Sequence, residues 1–136
     1  MQATMQGAEP QGQDQDYAAA DYLAAFDDAA KATIGVFGAP EAMDGTVNLA
    51  GHEIPATAFV GIATNDAFVH GWDLVRATGQ LTDLAPDLAA AILTQSRTLI
   101  ADELRGDEGA PFGPEQSAPH GSSAADQLAA FCGRQL

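Results

Sequence analysis

Residues 56–79 read Ala-Thr-Ala-Phe-Val-Gly-Ile-Ala-Thr-Asn-Asp-Ala-Phe-Val-His-Gly-Trp-Asp-Leu-Val-Arg-Ala-Thr-Gly. No proline interrupts this run, and Phe59, Ile62, Val69 and Trp72 recur at spacings that place them on one apolar stripe of a helix. The pattern predicts a helix from about Ala56 to Thr78, ended by Gly79. Asp66 and His70 are four residues apart, so they project within about 40° of each other around its axis. Both lie beside the stripe. Imidazole and carboxylate at this spacing form a one-helix ligand pair for zinc and similar metals. The same spacing suits an ordinary hydrogen-bonded Asp/His pair. Asp73 and Arg76 are three apart and predict a local ion pair; Asp73 is alternatively placed to orient His70 or an indole. Trp72 is expected in the core.

Outward from this helix the chain reads as further helices joined by irregular connectors. Tyr22, Phe26, Ala29, Ala30, Thr33 and Phe37 step by three and four, predicting a helix over 17–37 with Gly38 and Pro40 as its stop. Thr46–Leu49 alternates in strand fashion, Gly51 marks a turn and Ile54 precedes Pro55, which fits a small hairpin or an extended connector. A third helix is predicted from Pro86 to Leu104, stopped by Gly106. Leu88, Ile92, Leu99 and Ile100 form its buried stripe, interrupted at Gln95 and Ser96. Residues 106–121 read as a Gly/Pro-rich loop, and Ser122 or Ser123 caps a last helix through about Cys132. Residues 1–16 form a polar, Gln-rich leader, leaving 17–136 as one helical domain.

Composition narrows the function. The 136 residues suit one domain, and 46% hydrophobic content supports a core. Much of that share is alanine, so Phe26, Phe37, Phe59, Phe68, Trp72 and Leu99 are expected to supply most of the burial. Net charge is −14, from 19 acidic and 5 basic residues. Such a surface repels phosphate backbones and anionic membranes, which argues against nucleic-acid binding. No apolar run approaches the ~20 residues that span a bilayer. Cys132 is the single cysteine, so no intrachain disulfide is available, and a reducing, cytoplasmic address is expected. There is no Gly-rich phosphate loop and no serine in a nucleophile-elbow context.

The run Val69-His70-Gly71-Trp72-Asp73-Leu74-Val75-Arg76-Ala77-Thr78-Gly79 resembles the signature of an actinobacterial metal-binding family. That family is related to the N-terminal domain of mycothiol-dependent maleylpyruvate isomerase, within the DinB-like four-helix-bundle superfamily. The Thr46–Pro55 connector, Glu103–Gly106, Pro111-Phe112-Gly113-Pro114 and Leu128–Arg134 are similar as well. The resemblance covers about residues 17–136. It implies an all-α, partial DinB-like bundle with a short extended connector.

Members of the family hold a divalent metal, zinc or nickel-like, with a histidine from an early helix, then a carboxylate and a histidine four apart. His70 matches the last ligand and Asp66 falls at the carboxylate position. The first ligand has no match, because the chain reads as though it begins after the first helical hairpin. His52 lies in the Gly51 turn and His120 in a Gly/Pro loop, so neither is expected to replace it. The resemblance implies a metal site incomplete in this polypeptide, with mycothiol or another small thiol as the associated cofactor.

Two functions compete on this basis: a thiol-using isomerase or transferase that needs the full site, and a structural or self-associating bundle fragment. Missing a hairpin, a four-helix bundle bares its inner face, and a homo-oligomer through that face is the expected partner. A start further upstream is a third reading.

Overall fold

The computed structural model describes residues 16–49, 51–106 and 109–136. Residues 1–15 of the expected leader lie outside these. The described chain is mainly helical with one small antiparallel hairpin. It divides into two compact units, one ending at Val60 and the other spanning Gly61–Leu136.

The first unit starts later in helix than the periodicity predicts. Tyr17–Ala19 form one 3-10 turn, and α1 runs Tyr22–Phe37. The reason is local: Asp21 is the N-cap, its carboxylate accepting from Ala24 N–H at 3.1 Å. A carboxylate at that position satisfies an otherwise orphaned amide and fixes the start there. Gly38 ends the helix, its N–H donating to the Ile34 carbonyl. The connector is a true hairpin of β1 (Thr46–Leu49) and β2 (His52–Pro55), with Val47 opposite Ile54. Gly51 takes φ +88 in the turn, and its N–H donates to Asn48 Oδ1 at 3.0 Å. Val47 turns inward onto Ala56 and Phe59, with Phe37 and Ile54 alongside. α1 contributes little else to that core. Phe26, expected to be buried, is 71% exposed.

α2 spans Ala56–Ala77, one residue short of the predicted end. Gly79 at φ +70 terminates it, with Gly79 N–H donating to the Arg76 carbonyl and Gln80 N–H to that of Val75. α3 starts at Pro86 as predicted but stops at Leu99 rather than Leu104. Ile100 turns extended (φ −96, ψ 92) and enters the core, and Asp102–Leu104 make a separate 3-10 turn. Burying Ile100 outweighs continuing the helix, and Leu99 is left 38% exposed against expectation. Leu88, assigned to the stripe, is also exposed. α4 spans Ala124–Phe131, capped by Ser123, whose hydroxyl accepts from Asp126 N–H at 3.1 Å.

The second unit packs α2, α3 and α4 around two clusters. One joins Val69, Ile92, Leu93 and Ile100 to Leu128, Phe131 and Cys132. The other joins Trp72 to Ala89, Ala125 and Ala129. Here the abundant alanines matter, because small side chains let the helices approach the indole closely. The polar break in the α3 stripe has a structural answer. Ser96 is buried and its hydroxyl accepts from Asn65 Nδ2 at 2.7 Å. Gln95 lies over Gly61, where a Cβ would fall 2.5 Å from its amide nitrogen.

The Gly/Pro loop is pinned at two points. Arg105 and Phe112 form a β-bridge, with Gly106 N–H donating to the Phe112 carbonyl and Phe112 N–H to that of Leu104. The Arg105 guanidinium lies 4.4 Å from the centre of the Phe131 ring and donates to the Phe131 carbonyl at 2.7 Å. Arg105 also donates to the Gly113 carbonyl, and Gln116 N–H to that of Ala130, so these loop residues lie against the end of α4.

Candidate metal-ligand pair and its supporting chain

α2 delivers Asp66 and His70 on consecutive turns, with His70 Nε2 3.4 Å from Asp66 Oδ1. Both side chains are about two-thirds exposed, so neither carries a large desolvation cost. His70 Nδ1 lies 3.3 Å from Asp73 Oδ2. The imidazole thus stands between two carboxylates, one facing each ring nitrogen.

Asp73 is itself held. Arg134 Nε donates to its Oδ1 at 3.2 Å and Arg134 Nη2 to its Oδ2 at 2.9 Å. The hydrogen bonds from Arg134 hold the Asp73 carboxyl below its ordinary value, against a smaller upward push from burial. In return Asp73 raises the guanidinium. The expected Asp73–Arg76 pair does not form. Arg76 lies instead over the Trp72 ring, 5.5 Å from its centre. Nor does Asp73 take an indole: Trp72 Nε1 donates to Asp126 at 2.9 Å.

Backbone geometry puts Arg134 in place. Gly133 follows α4 at φ +93, its N–H donating to the Ala130 carbonyl while Arg134 N–H donates to that of Ala129. The turn sends the chain back toward α2. A Cβ on Gly133 would lie 2.9 Å from Gly113 Cα, so two glycines meet backbone to backbone where the loop crosses the end of α4. One consequence is a cleft of about 330 Å³ opening on Asp66 and His70, with Ile62 and Val69 on the helix side and Pro111 and Phe112 opposite.

Asn65 and Cys132 lie behind this face. Asn65 is buried, with Nδ2 3.6 Å from Cys132 Sγ. Burial pushes the Cys132 thiol up, so it is a core thiol rather than a ready thiolate. The role of Asn65 was not legible in sequence; the nearest signal was the unexplained polar break at Ser96. Ile62, counted in the stripe, is 41% exposed and lines the cleft. His52 heads β2 in the first unit, and His120 sits in the turn before α4. Among the described residues no group of three or more His, Cys, Asp or Glu is placed to enclose a metal ion. No helix among them is long and apolar enough to cross a membrane.

No protein-family model matches the chain, and no solved structure matches it. It is similar to two uncharacterized proteins of Mycobacterium tuberculosis, one from strain CDC 1551 / Oshkosh and one from strain H37Rv. Each is 44% identical over 114 residues, covering 84% of this chain and 62% of the relative. The chain therefore spans under two thirds of the length of the curated relatives it matches.

Proposed function

We propose that this chain carries part of a divalent metal site of the DinB-like, maleylpyruvate-isomerase-like kind, on a partial four-helix bundle in the cytoplasm. Asp66 and His70 Nε2 are two of its ligands. The observation that carries this reading is the 3.4 Å between His70 Nε2 and Asp66 Oδ1. That distance exceeds the ~2.7–2.9 Å of a charge-assisted hydrogen bond. Two ligands of a tetrahedral zinc, at ~2.0–2.2 Å from the ion, sit about 3.4 Å apart. The donor set therefore fits zinc, and its nickel-like neighbours in softness.

The second support is Asp73. A ligating histidine ordinarily donates its other ring N–H to a carboxylate, which fixes the tautomer. Asp73 faces Nδ1, and Arg134 keeps Asp73 ionised and oriented. Two ligands do not complete a site, and the remaining coordination comes from outside the described residues. A bound metal would supply Lewis acidity and lower the pKa of a coordinated small thiol such as mycothiol. The cleft beside Phe112 gives such a ligand an apolar wall.

Isothermal titration of the purified chain with Zn²⁺ and Ni²⁺ at pH 7.5 tests the reading. Saturable binding is expected, lost in His70→Ala and in Asp66→Ala and weakened ~10–100-fold in Asp73→Asn. If the parent chain binds neither ion, Asp66 and His70 are an ordinary surface pair and the helical fragment is structural.

A further inference from the structure

We propose that the cleft between α2 and the Pro111–Phe112 segment binds a small neutral ligand in which one apolar body, a ring or a branched chain, carries a hydrogen-bond donor read by Asn65. Every residue that lines this cleft belongs to the second unit. The inference extends the reading above, since Asp66 and His70 stand at the same cleft. The apolar body and its donor do not need the metal.

The walls are apolar and fixed. Ile62, Asn65 and Val69 follow at steps of three and four, so they share one face of α2. Pro111 and Phe112 line the opposite side. Phe112 packs against the cluster of Val69, Ile92 and Phe131, and its backbone is bridged to Arg105. The site is therefore formed before a ligand arrives, as small-molecule sites usually are. At about 330 Å³ it stands at the small end of the ~300–1,000 Å³ range of such sites. A single ring or short branched chain suits that size.

Asn65 supplies the polar reading. It is 7% exposed and lines the cleft. Its Nδ2 is well used, donating to Ser96 Oγ at 2.7 Å. Its Oδ1 is not: among the described residues it accepts only from the Cys132 thiol, at 3.8 Å. A thiol is a weak donor, and a buried carbonyl left so poorly answered gains from an N–H or O–H brought by a ligand.

Charge excludes an anion. Arg134 is the one guanidinium lining the cleft. It already donates through Nε and Nη2 to Asp73 and through Nη1 to the Cys132 carbonyl. Its charge is thus answered by Asp73, and an entering carboxylate or phosphate meets Asp66 on a chain of net charge −14. A neutral amide or alcohol meets no such repulsion.

Amide-resolved NMR of the full chain, with chelator and no added metal, tests the proposal with benzamide as probe. Acetophenone, which lacks the N–H, and benzoate, which carries a charge, are its near-isosteres. Benzamide titrated to about 20 mM, a range suited to so small a ligand, should give saturable shifts at Ile62, Asn65, Val69 and Phe112. Both isosteres should bind at least about fivefold more weakly. Ile62→Trp, at a 41% exposed position, should fill the cleft and abolish the shifts with unchanged helical circular dichroism. In Asn65→Ala, benzamide should fall to the level of acetophenone. No saturable shift at the cleft, or shifts that persist in Ile62→Trp, overturns the site. Acetophenone equal to benzamide in the parent overturns the role of Asn65, and benzoate equal to benzamide overturns the exclusion of anions. Benzamide binding by a chain that takes no zinc would remove the metal reading alone; zinc binding without benzamide binding would remove this one alone.

Discussion

Arg134, two residues before Leu136, grips the Asp73 carboxylate in the middle of the chain with two hydrogen bonds of 3.2 and 2.9 Å. The pair closes the second unit and presents Asp73 to His70. Lysine at 134 keeps the charge but loses the planar fork. Both groups are partly exposed, so solvent screening limits the stabilisation to on the order of 1 kcal/mol. Arg134→Lys should lower the urea midpoint by a corresponding amount, and Arg134→Ala by somewhat more. A midpoint unchanged in both variants would show that the pair contributes nothing to folding.

The same pair predicts a pH dependence. Asp73 is depressed in the folded state, first by its hydrogen bonds from Arg134. Its unfolded value is ~3.9. The stabilisation is therefore present in full above that value and lost as pH falls through the lower folded value. Unfolding free energies measured from pH 6 down to pH 2.5 should fall less steeply below pH 4 for Asp73→Asn than for the parent. Parallel curves would contradict the assignment.

Two left-handed glycines separate conformational strain from steric conflict. Gly121 has φ +86 and open space where a Cβ would lie; Gly133 has φ +93 and the Gly113 backbone at 2.9 Å. Gly121→Ala should cost only the backbone term, about 1–2 kcal/mol. Gly133→Ala adds a collision with main chain that cannot move aside, and should be worse by at least about 1 kcal/mol. Thermal unfolding of the two variants side by side checks the order.

The buried amide–hydroxyl contact calls for a double-mutant cycle. Asn65→Ala strands the Ser96 hydroxyl, and Ser96→Ala strands an Asn65 N–H. Each should cost about 1–3 kcal/mol, and the double variant less than the sum. Strict additivity would mean that the two groups do not depend on each other.

The sequence by itself determined the local structure of this protein, along with the one-turn spacing of Asp66 and His70. Gly79, Pro86 and Ser123 act on their own neighbours, so the ends they set were legible. The start of α1 was set by a local cap too, at Asp21, but the apolar periodicity beginning at Tyr17 masked it. What the tertiary structure alone decided is who answers whom across distance. Asp73 had a cation three residues away in Arg76, and a local ion pair of that kind is worth only ~0.2–0.5 kcal/mol. Arg134, delivered by the Gly133 turn, offers a two-pronged grip instead, while Arg76 gains the indole face. The break at Ser96 could not be resolved without Asn65 beside it. Ile100 leaves the helix because the core has a place for it, a fact no periodicity carries. Burial also escaped the pattern on α1: its stripe identifies an apolar face, but only packing shows that Phe26 is left largely exposed.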